Sequence, residues 1–126
     1  MAVVAGSTPK YLIRLRDEQG VQLNPSDTSQ VTDVRIIIFN AISGDVIGRF
    51  YLNSSPGEGW IQLSNKIVAY GDHGVLMVLT GEMTTAAAGN ANMIQVDVLI
   101  PDSEAPGGTY IIKQQGRFHE ILPSKS

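Results

Sequence analysis

The sequence predicts an all-β domain built from two packed antiparallel sheets, and three observations carry that prediction. Apolar and polar residues alternate with period two along most of the chain, the pattern of strands with one face on a core. Gly, Pro, Asn, Asp and Ser break the alternation roughly every 8 to 12 residues, the turn spacing of a sandwich or barrel. The chain of 126 residues is 43% apolar and 17% charged and holds no cysteine, so it closes one core of its own without a disulfide framework.

The elements follow in order. Residues 1 to 9 read as an N-terminal arm, 10 to 122 as the sandwich and 123 to 126 as a tail. Tyr11, Ile13 and Leu15 alternate with Arg14 and Arg16 and then meet Asp17-Glu18-Gln19-Gly20, which gives a first strand over 10 to 16 ending in a turn, with Val21 and Leu23 extending the pairing beyond it. Asn24 to Ser29 is a loop by its turn chemistry. From 31 to 39, Val34, Ile36 and Ile38 share one face, while Asp33, Arg35, Ile37 and Phe39 share the other, which turns apolar toward its end. A short connection through Gly44 makes a hairpin with residues 45 to 52, where Gly48 marks a bulge or a close approach of backbone. The turn-rich stretch 53 to 59 precedes a short strand at Trp60, Ile61 and Leu63, and residues 66 to 70 stay open between strand and loop.

A turn at 71 to 74 leads into a central strand over 75 to 79. Residues 80 to 89 carry the chain's helical propensity, one turn that crosses between sheets with Gly89 as its stop. Ile94, Val96, Val98 and Ile100 face inward on a strand over 92 to 100, with Gln95 and Asp97 outward. After a Pro- and Gly-rich loop, residues 109 to 114 return as a strand with Tyr110 and Ile112 on one face. Residues 117 to 122 place Phe118, Glu120 and Leu122 opposite His119 and Ile121, as a last edge strand or an arm that adds to a neighbour. An immunoglobulin-like antiparallel β-sandwich of about seven to nine strands is the economical architecture, with a small barrel as the alternative.

Charge and residue type exclude more functions than they admit. Nine basic against 12 acidic side chains give a net charge of −3, the wrong sign for neutralising phosphates, so nucleic acid is not an expected partner. The apolar runs fall far short of the roughly 20 residues of a membrane-spanning helix, and no basic residue precedes Lys10 to open a secretory leader. Missing cysteines remove thiolate catalysis and Cys-ligated zinc. The two histidines, His73 and His119, stand in no metal-binding spacing, and the alternation separates His119 from Glu120. Asp33, Glu82 and Asp97 read as solvent-face carboxylates rather than acid and base partners. No catalytic residue, cofactor or metal is expected, and a small hydrolase or isomerase would need a histidine set against a carboxylate. Tyr51, Trp60 and Tyr70 flank one turn-rich region and form the basis of an alternative, a carbohydrate-binding module. Lys10, Arg14 and Arg16, beside Asp17 and Glu18, are candidates to meet an acidic partner surface.

The run from Val75 through Thr80, Thr84 and Gly89, the strand from Met93 to Ile100, Pro106-Gly107-Gly108 and Phe118-His119-Glu120-Ile121 together resemble the Ig-like domain at the N-terminus of phage baseplate upper proteins, and related phage head-fibre and auxiliary capsid proteins. The resemblance covers about residues 31 to 122. It implies a structural, non-enzymatic virion protein made in the host cytoplasm, with partners among the major capsid protein, other virion proteins or copies of itself. Baseplate proteins continue into stalks and trimeric regions beyond this domain. A chain ending soon after it is similar to the decoration proteins of tailed, crAss-like phages, with a baseplate or tail adaptor as the alternative. The expected partner contacts are Val3, Val4, Lys10, Arg14, Arg16, Phe118, Ile121 and Leu122, at the termini and edges.

Overall fold

The computed structural model describes residues 3 to 67, 73 to 89 and 91 to 122. Expectations that fall on Met1 and Ala2, on 68 to 72 with Tyr70 among them, and on the tail from 123 lie outside the described residues, as does the side chain of His73.

The all-β class holds. Ten strands and one short helix lie among the described residues: β1 (Val3–Val4), β2 (Lys10–Arg14), β3 (Asp33–Asn40), β4 (Val46–Tyr51), β5 (Ile61–Gln62), β6 (Ser64–Ile67), β7 (His73–Val78), α1 (Gly81–Ala86), β8 (Asn92–Pro101), β9 (Thr109–Arg117) and β10 (Ile121–Leu122). They form a five-stranded sheet in the order β5-β4-β3-β8-β9, a three-stranded sheet β2-β7-β6 and a two-stranded ribbon β1-β10. The count exceeds the expected seven to nine because β1, β5 and β10 have two residues each. Elements so short have no alternation to read.

The two larger sheets share one core. Val34, Ile36 and Ile38 of β3 are fully buried, as the period-two pattern requires, and meet Phe50 of β4, Val98 of β8 and Val75 and Met77 of β7. Ile94, Val96 and Ile100 pack against the same cluster from β8. Leu15, Leu23 and Val31 close the core from the β2–β3 connection, where Leu23 N–H donates to the Leu15 carbonyl and Arg16 bridges Gln22. The expected extension of pairing past the first turn is therefore present.

Gly48 serves both purposes expected of it. The β3–β4 register slips between Ile38 and Phe39, opposite Gly48. A Cβ on Gly48 would lie 3.0 Å from both the Met83 sulfur and the Phe50 ring, so a side chain there would require these two side chains to give by a few tenths of an ångström.

Three local expectations change. Leu63, 3% exposed, is a pivot: β5 pairs with β4 while β6, one residue later, pairs with β7 in the other sheet. The single expected strand thus divides where the chain changes layers. Thr80 caps α1, its hydroxyl accepting from Met83 N–H, but the helix ends at Ala87 rather than Gly89. Gly89, at φ +130°, instead exchanges backbone hydrogen bonds with Ile121. The predicted strand over 117 to 122 is reduced to β10, because residues 118 to 120 are irregular.

Candidate functional site

The termini were expected to reach for a neighbour, and the described part of the arm is bound to its own chain instead. Val3 and Val4 pair in parallel with Ile121 and Leu122, and Ala5 N–H donates to the Leu122 carbonyl. Thr84, fully buried in α1, fixes the arm from the other side. Its hydroxyl accepts from Gly6 N–H at 2.9 Å and donates to the Ser7 carbonyl at 2.8 Å. A Cβ on Gly81 would lie 2.9 Å from the Gly6 carbonyl oxygen, so glycine at the start of α1 lets the two backbones meet. The arm is a third layer of the sandwich edge.

This changes the standing of the expected contact residues. Ile121 is fully buried and Phe118 is 8% exposed, so both belong to the core and neither offers its side chain to a partner. Val3 is half-buried against the core, while Val4 and Leu122, directly opposed in register, remain exposed. Irregular backbone at 118 to 120 is the reason: without strand geometry both Phe118 and Ile121 turn inward.

The same irregularity corrects the separation of His119 from Glu120. Both line one open cleft of about 400 Å³ with Arg117 and Phe118. The His119 ring lies against Phe118 and Tyr11 at centroid distances of 4.5 and 5.3 Å. The Tyr11 hydroxyl meets its Nε2, and Nδ1 lies 3.0 Å from the Glu120 carbonyl oxygen. Both ring nitrogens are thus engaged by a phenol and a backbone oxygen rather than a carboxylate. Burial pushes the Tyr11 phenol above its ordinary pKa. The arrangement is an aromatic clamp joining β2 to the chain's end. Among the described residues no three His, Asp or Glu side chains gather as a metal site.

Lys10 and Arg14 are both exposed. On β2 they point outward with Leu12, and register sets Lys10 opposite Val78, Leu12 opposite Leu76 and Arg14 opposite Gly74. Leu12 and Val78 are 38% and 37% exposed, and Leu76 is half-buried. The outer face of the three-stranded sheet is therefore an apolar strip with cationic stems beside it. Arg16 is exposed but donates to the Gly20 carbonyl and supports the neighbouring turn.

Tyr51 and Trp60 are both half-buried. Ring contacts among the described residues gather at Tyr11, Phe118 and His119, at the other end of β3 and β4 from Tyr51.

Sequence reasoning missed two polar features. Asp33, expected at the solvent face, is 3% exposed. Its Oδ1 accepts from the N–H groups of Val34, Leu52 and Asn53, and its Oδ2 accepts from Ser54 N–H. The carboxylate is a knot that ties the β4–β5 turn to the start of β3. Asp and Ser beside a turn were the available signal, but three of the four donors lie about twenty residues away in sequence. The second feature is Arg35, on the outer face of the five-stranded sheet, whose buried Nε has no hydrogen-bond partner. Asp97 stands opposite it in register, yet it takes the Gln95 amide at 3.0 Å and Lys113 at 3.6 Å. Glu82 is exposed, as expected.

Compared with known proteins, the chain matches no protein-family model, no curated protein and no solved structure. Among the described residues no helix is long and apolar enough to cross a membrane.

Proposed function

We propose that this chain is a non-enzymatic structural module that works by contact with other proteins, as an auxiliary protein docked on a phage capsid. The observation that carries the reading is the outer face of the three-stranded sheet, where exposed Leu12 and Val78 and half-buried Leu76 form an apolar strip beside Lys10 and Arg14. Apolar surface kept in water on a rigid sheet, with long cations at its margin, fits a partner that covers the strip and sets its orientation by charge.

Two further features support it. The pairing order sets β5-β4-β3-β8-β9 against β2-β7-β6, with the first and last strands parallel. The adjacency in the larger sheet supports a likeness to a variable-type immunoglobulin sandwich, from which the parallel pairing of β4 with β5 departs. The segments that carry the likeness to phage head and baseplate domains fall on β7, α1, β8, the turn before β9 and the chain from 118 into β10.

The test mixes the purified chain with candidate phage shells and reads attachment by co-sedimentation and cryo-imaging. Leu12→Glu combined with Lys10→Glu should abolish attachment while the fold persists. Attachment to tail preparations alone would move the module to the baseplate. Binding unchanged by the double substitution, or a change in Trp60 fluorescence with a soluble glycan and no shell binding, would overturn the reading.

A further inference from the structure

The other outer face has a different chemistry. In the five-stranded sheet, register places Arg35, Arg49, Lys113 and Arg117 on the face away from the core, among half-buried Ile37, Phe39 and Met93. Two carboxylates share that register: Asp97, already held by Lys113 and Gln95, and Asp33, buried and held by four backbone N–H groups. The chain as a whole is acidic, with a net charge of −3, so this face opposes the sign of the molecule. Compensating charge collects elsewhere. The loops that join β2 to β3, β4 to β5 and β8 to β9 carry Asp17, Glu18, Asp27, Glu58, Asp102 and Glu104, against the single cation Arg16. β3 begins where β4 and β8 finish, since Leu52 N–H donates to the Val34 carbonyl and Thr32 N–H to Leu99. The latter two loops therefore open at one end of the sandwich, and the first loop feeds into that end.

We propose that the basic outer face of the five-stranded sheet docks the acidic loop end of a second copy of this chain, with Arg35 at the centre of the contact. Charge decides the geometry. Two copies joined face to face would bring four cations against four, whereas loop end against face brings opposite signs together. Arg35 gains most from such a contact. Arg35 is half-buried on this face, and a planar guanidinium donates two parallel hydrogen bonds to a carboxylate. The apolar residues around it supply the area that a charge pair alone does not. Because the two patches differ, the contact is head-to-side and leaves a free patch on each outer copy, so chains grow until geometry closes them. This inference fits the reading of the chain as an assembly module but uses a separate face, and shell attachment through Lys10 and Leu12 stands or falls independently of it.

Sedimentation velocity of the intact chain tests the contact. The mean mass should rise above the 13.5 kDa monomer with protein concentration. Raising salt from about 50 to 500 mM should weaken association by about tenfold or more, as screening shortens the reach of the charges. Arg49→Glu with Arg117→Glu should abolish association, and so should Glu58→Lys with Glu104→Lys. Mixing the two variants should restore it, because each then offers the charge that the other lacks. All four positions are exposed, so folding should be preserved, and unchanged circular dichroism spectra check it. A chain that stays monomeric at low salt and high concentration overturns the proposal. So does association that is indifferent to both variants, or that is lost with the face variant and kept with the loop variant, which would assign another occupant to the face.

Discussion

Asp33→Ala is the substitution that most directly tests how this sandwich is held at its loop end. The carboxylate is 3% exposed and accepts four backbone N–H groups, at 2.8 Å from Val34, 2.9 Å from Asn53, 3.1 Å from Ser54 and 3.2 Å from Leu52. These donors fare differently when it is removed. Leu52 N–H keeps its 2.9 Å bond to the Val34 carbonyl. Asn53 and Ser54 sit in an exposed turn, so water replaces the lost acceptor and the loss is about 1 kcal/mol each. Val34 is fully buried, and its N–H loses its acceptor at about 1–3 kcal/mol. The sum is about 3–5 kcal/mol, a large share of the stability of a domain this size. Asp33→Asn keeps an oxygen in the Oδ1 place but turns an amide N–H₂ toward Ser54 N–H, so it should cost roughly half as much. Urea denaturation provides the assay. With a slope of about 1–3 kcal/mol per molar for small proteins, the alanine variant's midpoint should fall by about 1–5 M at an unchanged slope. Amide exchange at Asn53 and Ser54 should accelerate in both variants. If both remain within about 0.5 kcal/mol of the parent, the range of ordinary surface changes, the knot does not hold the turn and the reasoning fails.

Two further outcomes follow from the clamps at the termini. Thr84→Val keeps the volume but removes the hydroxyl that receives Gly6 N–H and holds the Ser7 carbonyl. It should cost about 2 kcal/mol in thermal or urea unfolding and expose the arm to proteolysis ahead of the rest of the chain, whereas an unchanged cleavage pattern would mean that the β1–β10 ribbon alone secures it. Tyr11 has its phenol pKa raised by burial, so the stability linked to it is complete below the unfolded value and drains away as pH rises through the folded one. Tyr11→Phe should therefore flatten the alkaline loss of stability above about pH 10, and identical alkaline profiles for parent and variant would contradict that linkage.

Individual elements show how far the sequence reaches. The faces of β3 and β8 were legible because a half-buried antiparallel strand imposes period two on its residues, and Val34, Ile36, Ile38 and Val98 obey it. Helical propensity over 80 to 89 announced α1, and Gly48 announced the slip in register. Lys10 and Arg14 were placed on an outer face by the same alternation. Phe118 and Ile121 failed as contact residues because alternation was extended across 118 to 120, where the backbone is not a strand. The division at Leu63 was hidden because a change of sheet requires only one buried residue at the pivot, and the polar run Ser64-Asn65-Lys66 beyond it carries no alternation to mark β6.

The sequence by itself determined the all-β class, the order of the long strands and the sidedness of each, since these are set by local conformational preference and by which residues leave water. Only the tertiary structure decided which partners the polar groups find. Asp33 is buried because donors from β4 and its turn converge on it, Arg35 is left unpaired because Lys113 and Gln95 claim Asp97, and the arm docks because Gly81 lets its backbone reach Gly6. Each of these outcomes is a competition among groups far apart in the chain, settled by register and close approach in three dimensions, and neighbouring residues carry no record of it.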